Sequence, residues 1–304
     1  MDLRTGKIIP ETPFSFEQCL SYIQSFPASQ NDHKIDAGQL IKAFRIGDKT
    51  YAMQIFNRGE VDDPKLRVTI MSTNPMKDRE LEQALQKVRF YLGIDDPIQE
   101  FYEIGDRDSM FKPLINSLYG HHMIKFLSIF EAAIWKLLSS NLTLAESIKS
   151  KKMLQQRLGA MININGINYR AFPEPLDVLE APDEELAYAL PQERIQKRVH
   201  QMASFFSDYH SMSALQNMSN DEIKDELLQL EGIDQGGSIY ILNYGLGRMD
   251  EIHYGDPLLV QSVEKTYGTH HEINREKIKE LASQYGKWKG YWAHYLRQSH
   301  AKNH

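Results

Sequence analysis

Between Leu40 and Ser72 the apolar positions recur with a period near two. Leu66, Val68 and Ile70 alternate with Arg67 and Thr69, as a half-buried strand requires. Gly47-Asp48-Lys49 interrupts the run, so 40–46 and 50–56 predict a hairpin. Helical spacing takes over in Phe16-Glu17-Gln18-Cys19-Leu20-Ser21-Tyr22-Ile23 and in the charged stretch from Asp78 to Tyr91. Residues 1–93 therefore predict an α+β domain, a small antiparallel sheet with helices. From Asp95 onward no strand is predicted, and the pattern to residue 304 is helix, short polar break, helix. Lys125 to Leu138 predicts the clearest core helix, with Phe126, Phe130, Ala133, Ile134, Leu137 and Leu138 on one broad stripe. Pro191 opens another helix, and Ser219-Asn220-Asp221-Glu222 is a capping box for a helix running to about Leu230.

Composition narrows the class. The 304 residues are 41% apolar and 25% charged, enough for a sizeable core and long enough for two or three subdomains. Cys19 is the only cysteine, which excludes an intramolecular disulfide and any cysteine-ligated cluster. No run approaches 18 apolar residues and the start carries no signal pattern, so a soluble, cytoplasmic protein without membrane contact is expected. The net charge is −6. Its distribution is uneven: residues 177–185 are acidic, whereas 275–304 carry seven Lys/Arg against two glutamates. That excess would serve either a solvated helix or the neutralisation of several phosphates. His121-His122 and His270-His271 lack helical ligand spacing, so no zinc is predicted and no metal ligand is assigned.

The chemistry-bearing stretch is Leu230-Glu231-Gly232-Ile233-Asp234-Gln235-Gly236-Gly237-Ser238-Ile239, then Gly245-Leu246-Gly247-Arg248-Met249-Asp250 and Gly255-Asp256-Pro257-Leu258-Leu259. One helix ends at Leu230 and a second, apolar one begins near Gly237: a helix, a tight hairpin and a helix. Such hairpins expose backbone N–H groups at a helix N-terminus, where a phosphate can be held without side-chain charge.

These residues resemble the helix-hairpin-helix DNA glycosylases, most closely the bacterial 3-methyladenine DNA glycosylase II branch. Asp256 follows Gly232 by 24 residues, the separation between that family's first hairpin glycine and its essential aspartate. Phe14 to Leu20 with the small sheet, Phe130-Glu131, Tyr169 to Pro175, Leu190 to Arg194 and Trp288-Lys289-Gly290-Tyr291-Trp292-Ala293 are also similar to family elements. The resemblance implies an all-α helix-hairpin-helix bundle over 94–304, with a middle bundle about 112–205, a hairpin region about 215–268, and C-terminal helices returning onto the bundle. DNA would lie across the cleft between bundle and hairpin.

It further implies hydrolysis of the N-glycosidic bond of alkylated purines in duplex DNA, with no cofactor and a monomer as the acting unit. Asp256 would be catalytic, stabilising an oxocarbenium-like sugar; by its own residues it is equally a cap for a helix starting at Pro257. Gly232, Ile233, Asp234, Gly236, Gly237 and Ser238 would bind DNA. Trp288, Tyr291, Trp292 and Tyr240 would line the base pocket, stacking on an electron-poor ring, while Trp135 is assigned to the core. The lyase version of the family carries a lysine four residues after the first hairpin glycine. That position is Gly236, which implies a monofunctional enzyme.

Three departures stand out: Asp234 at the second hairpin glycine, Gly237 at the hydroxyl position, and His253-Tyr254 before Asp256. The left-handed geometry of the turn would fall on Asp234, and its carboxylate would face the phosphate, a repulsion of roughly 1 kcal/mol. Two rivals follow: a DNA-damage-binding protein of the same fold with weak or no catalysis, and a helical protein-interaction scaffold.

Overall fold

The computed structural model describes residues 1–208, 215–268 and 273–301; His270-His271 and Lys302 lie outside them. Five strands, β1 (Asp2–Ile8), β2 (His33–Asp36), β3 (Gln39–Ile46), β4 (Lys49–Asn57) and β5 (Leu66–Ser72), form an antiparallel sheet in the order β1-β5-β4-β3-β2. The alternation in the sequence marks the three central strands. The edge strands β1 and β2 bury almost nothing, so they lack that signal. Helices α1 (Phe16–Ser25) and α2 (Asp78–Leu92) cover one face, closing Leu40, Phe44, Met53, Val68 and Ile70 over Ile23 and Val88.

The other face is covered by a feature the sequence reading did not expect. Beyond Asp95 the chain forms a second hairpin, β6 (Met161–Ile164) and β7 (Ile167–Arg170), turning at Asn165 and Gly166, both with positive φ. Asn-Gly between alternating apolar residues is the strongest short-range hairpin signal, and it is present here. Ile162 and Ile164 pack on Ile41, Ala43, Ala52 and Met71. With both faces buried, residues 40–44 of β3 read as an apolar run broken only by Lys42.

The remainder is helical: α3 (Ile98–Gly105), α4 (Lys112–Ser117), α5 (Ile129–Asn141), α6 (Leu144–Leu158), α7 (Pro175–Leu179), α8 (Asp183–Ala189), α9 (Glu193–Asp208), α10 (Asn220–Leu227), α11 (Gln235–Leu246), α12 (Pro257–Tyr267), α13 (Arg275–Ser283) and α14 (Lys289–Ala301). Helix α5 starts four residues later than its apolar stripe predicts. Phe126 N–H donates instead to the Tyr244 carbonyl of α11 (2.8 Å), and Ser128 Oγ then caps by accepting from Glu131 N–H (3.1 Å). Apolar nearly all round, α5 packs into two clusters, Ala132 and Trp135 into one and Phe130, Ile134, Leu137 and Leu138 into the other. Helix α14 returns to close the first cluster, burying Tyr291, Trp292, Tyr295 and Leu296 against Phe101, Phe111 and Ile115. Among the described residues no helix is long and apolar enough to cross a membrane.

Candidate active site

The predicted capping box closes α10: Ser219 Oγ accepts from Glu222 N–H (3.3 Å) and Glu222 Oε2 accepts from Ser219 N–H (2.7 Å). The helix stops at Leu227, three residues short of the expected end, and a turn leads to Gly232, whose φ of +97° is closed to L side chains without strain. A Cβ there would also lie 2.7 Å from Leu137 Cδ1 on α5, so the hairpin needs glycine for conformation and for close approach.

The structure corrects the expectation for Asp234. Left-handed geometry falls on Gly232, while Asp234 is extended (φ −101°, ψ −178°) and is the N-cap of α11, which starts at Gln235 rather than near Gly237. Its Oδ1 accepts from Gly237 N–H at 2.7 Å. The carboxylate therefore takes a helix N–H that would otherwise be left open at the helix N-terminus.

The other hairpin residues divide by burial. Gly232 and Asp234 are exposed and Gly236 half-buried, whereas Ile233, Gly237 and Ser238 are buried; Ser238 Oγ donates back to the Gln235 carbonyl (3.0 Å). An unpredicted link fixes the hairpin to the bundle. Buried Arg198 donates to Glu231 Oε1 (2.5 and 3.0 Å) and to Asn141 Oδ1 at the end of α5 (2.6 Å).

Asp256 is held at both oxygens. Oδ1 caps α12 by accepting from Leu258 N–H at 3.0 Å, with Pro257 at the position that needs no donor. Oδ2 accepts from Arg297 Nε (3.0 Å) and Nη2 (2.6 Å), a guanidinium delivered by α14. The carboxylate is 27% exposed. Cap and salt bridge fix its direction, and the exposed part faces a cleft.

That cleft, of about 610 Å³, joins three parts of the chain: Tyr22, Phe26 and Pro27 from the N-terminal region, Lys136 from α5, and Asp234, Gly236, Tyr240, Tyr244, His253, Asp256 and Arg297 from the hairpin onward. Its aromatic wall is stacked, Tyr22 on Phe26 at 5.1 Å and Tyr240 on Tyr244 at 4.5 Å, with Phe26 facing Tyr244 at 6.3 Å. Burial raises the pKa of Tyr22, Tyr240 and Tyr244, so all three remain neutral phenols near pH 7. Behind Tyr244, His294 Nδ1 lies 3.3 Å from its hydroxyl and His294 Nε2 lies 2.9 Å from His121 Nε2. Burial, reinforced by the Arg297 charge, pushes His294 down to about 3, so its imidazole is neutral near pH 7.

The structure brings Tyr240 to Asp256 and the hairpin. It does not bring Trp288, Tyr291 or Trp292 there: all three are at most 5% exposed, none lines this cleft, and they pack with Phe101 and Tyr285 in the core, as Trp135 does. An aromatic residue that stacks on a base and one that fills a core have the same sequence signature, so spacing alone did not separate them. Tyr22, Phe26, Tyr244 and Arg297 were missed. Tyr22 and Phe26 reach the cleft from more than 200 residues before Asp256 and Arg297 from 41 residues after it, while Tyr244 stands one turn on from Tyr240.

No family model matches the chain. A DNA-3-methyladenine glycosylase from Bacillus subtilis is 20% identical over 266 residues, covering 87% of each chain. Among solved structures, a 3-methyladenine DNA-glycosylase from Archaeoglobus fulgidus superposes with a TM-score of 0.79 at 20% identity, over 96% of this chain and 97% of that one. The fold is that of a DNA glycosylase. The 8-oxoguanine glycosylase/lyase of Clostridium acetobutylicum, solved with double-stranded DNA containing cytosine opposite 8-oxoguanine, matches with a TM-score of 0.72 at 15% identity, over 100% and 99% of the two chains. The glycosylase fold thus includes the N-terminal sheet and the helical region together, which agrees with the resemblance read from the sequence.

Proposed function

We propose that the protein is a base-excision DNA glycosylase that hydrolyses the N-glycosidic bond of alkylated purines, of the 3-methyladenine and 7-methylguanine type, in duplex DNA. The observation that carries this reading is Asp256, fixed by a helix cap at the rim of an aromatic cleft beside the hairpin. The relatives named above support the class of reaction.

A base inside a duplex must be extruded before it is cut, and damaged or poorly paired bases cost least to flip. Half-buried Phe26 and Tyr240, backed by buried Tyr22 and Tyr244, would give an extruded ring an aromatic surface to stack on, and stacking favours an electron-poor, alkylated one. Such a base is already a good leaving group, so the demand on the protein is to stabilise positive charge on the sugar and admit water. At about 4 Å and an effective dielectric near 20, a carboxylate supplies up to roughly 4 kcal/mol, about three decades in rate. Arg297 offsets part of that charge but prevents the carboxylate from rotating away.

Backbone N–H groups of the hairpin would hold a phosphate near the flipped nucleotide, with Asp234 weakening that contact. The enzyme would act as a monomer, in the cytoplasm, without a cofactor. Incubation with methylated duplex DNA and chromatography of the free bases tests the reading. Release of 3-methyladenine or 7-methylguanine is expected; a protein that leaves every methylated base in place would overturn it.

A further inference from the structure

We infer that Lys136 gives this protein a second activity, strand cleavage at abasic sites through an imine. The inference rests on the glycosylase reading for its substrate, since the product of base release is a sugar whose ring-opened form carries an aldehyde at C1′. It does not rest on a lysine in the hairpin. A Cβ at Gly236 would lie 2.9 Å from His253 Nδ1, so His253 fills the space that a side chain at that position would need.

The amine comes instead from α5, the helix on which the hairpin packs. Lys136 lines the same cleft as Asp256, Gly236 and Tyr240, and its Cε lies 3.5 Å from where a Cβ on Gly237 would stand. Its flanking residues Trp135 and Leu137 are buried in the two cores, so the backbone that carries it is fixed. Other lysines packed against the bundle are committed: Lys151 pairs with Glu131 (2.8 Å), Lys125 with Asp96 (2.6 Å), and Lys87 donates to the Leu127 carbonyl (2.8 Å). Lys136 is half-buried and, among the described residues, its ammonium has neither an ion pair nor a hydrogen bond. A lysine side chain without a partner in the cleft that Asp256 also lines makes no structural contact there, whereas a free amine near an aldehyde has a chemical task.

The step balances as follows. Deprotonated Nζ adds to C1′ of the open-chain sugar, forming the C–N bond, and water leaves to give a protonated imine. Loss of the C2′ proton to solvent sends its electron pair toward the imine and breaks the C3′–O bond, expelling the 3′-phosphate as leaving group. Water then hydrolyses the imine and returns the amine. No oxidant or reductant is required.

The test uses the full chain and duplex DNA carrying a preformed abasic site, so that it does not depend on which base is excised. Borohydride, which reduces an imine to a stable amine, is the probe. The wild type is expected to form a covalent protein–DNA adduct that maps to Lys136 by peptide mass. Adduct per bound duplex, with binding measured on a tetrahydrofuran site that cannot form an imine, should fall about tenfold or more in both Lys136→Gln and Lys136→Arg. The arginine variant keeps the charge and removes the nucleophile, so persistence of the adduct in Lys136→Arg overturns the inference. A wild type that binds the tetrahydrofuran duplex but yields no adduct, or an adduct mapped to another lysine, also overturns it. Base release from methylated duplex without trapping would leave the glycosylase reading standing and remove the lyase; trapping without base release would do the reverse.

Discussion

At the residue scale the two aspartates of the site do opposite things with the same motif. Each caps a helix, Asp234 from Gly237 N–H and Asp256 from Leu258 N–H, so each carboxylate is pinned at a helix N-terminus. At Asp256 the pinning aims negative charge into the cleft, where the proposed reaction would develop a cation. At Asp234 it puts negative charge where the proposed function would place a phosphate. The repulsion is worth roughly 1 kcal/mol, while replacing an aspartate cap by glycine costs only a few tenths. Asp234→Gly should therefore bind abasic-analogue duplex about fivefold more tightly with almost unchanged thermal stability. Titration by fluorescence anisotropy at fixed salt measures this; unchanged or weaker binding would show that the carboxylate does not face DNA.

At the element scale the hairpin is a device for close approach. Gly232 combines a positive φ with contact against Leu137, and Arg198 ties the same turn to the end of α5. Gly232→Ala adds backbone strain and overpacks Leu137, a cost of roughly 2–4 kcal/mol that urea unfolding would record. A loss under about 0.5 kcal/mol would mean the turn has another conformation open to it. The elements themselves were largely legible. Alternation marked β3 to β5, the Ser219 box marked α10, and the Asp-Pro pair marked the start of α12. The misses have distinct causes. The β6–β7 hairpin carried its Asn165-Gly166 signal but lay in a stretch read by its helical surroundings. Strands β1 and β2 are edges without alternation. Local sequence marked Asp256 as a helix cap and the family resemblance pointed to it and to Tyr240 for the site, whereas Tyr22, Phe26 and Arg297 reach the cleft only when the N- and C-terminal segments meet around the bundle.

At the scale of the whole molecule, the N-terminal sheet and the helical region are joined by buried charge as well as by apolar surface. Asp32 receives Lys42 (2.5 Å), Lys151 (3.3 Å) and His33 (3.0 Å), and Lys151 continues to Glu131 on α5. Burial would raise the Asp32 pKa, but Lys42 and Lys151 outweigh it and hold the carboxyl below its usual range. Asp32→Asn leaves two buried ammoniums short of a counter-charge, and calorimetry should register a loss of roughly 3–5 kcal/mol; an effect under about 1 kcal/mol would mean water reaches the cluster. Acid sensitivity has a second source in His294, buried neutral with a pKa near 3 against an ordinary 6.5. A depressed pKa gives stability that is complete above the unfolded value and lost as pH falls toward the folded one. Near pH 5 the loss is about 2 kcal/mol, so His294→Gln should show a smaller drop in stability between about pH 7.5 and 5 than the wild type. Equal drops would remove His294 from the account. All of these features serve one arrangement, an aromatic cleft closed by both ends of the chain around a fixed carboxylate. The most direct test is single-turnover release of 3-methyladenine and 7-methylguanine from methylated duplex, comparing wild type with Asp256→Asn. The account predicts a fall of two to three decades in the variant, with duplex binding retained; release at the wild-type rate from Asp256→Asn would contradict it.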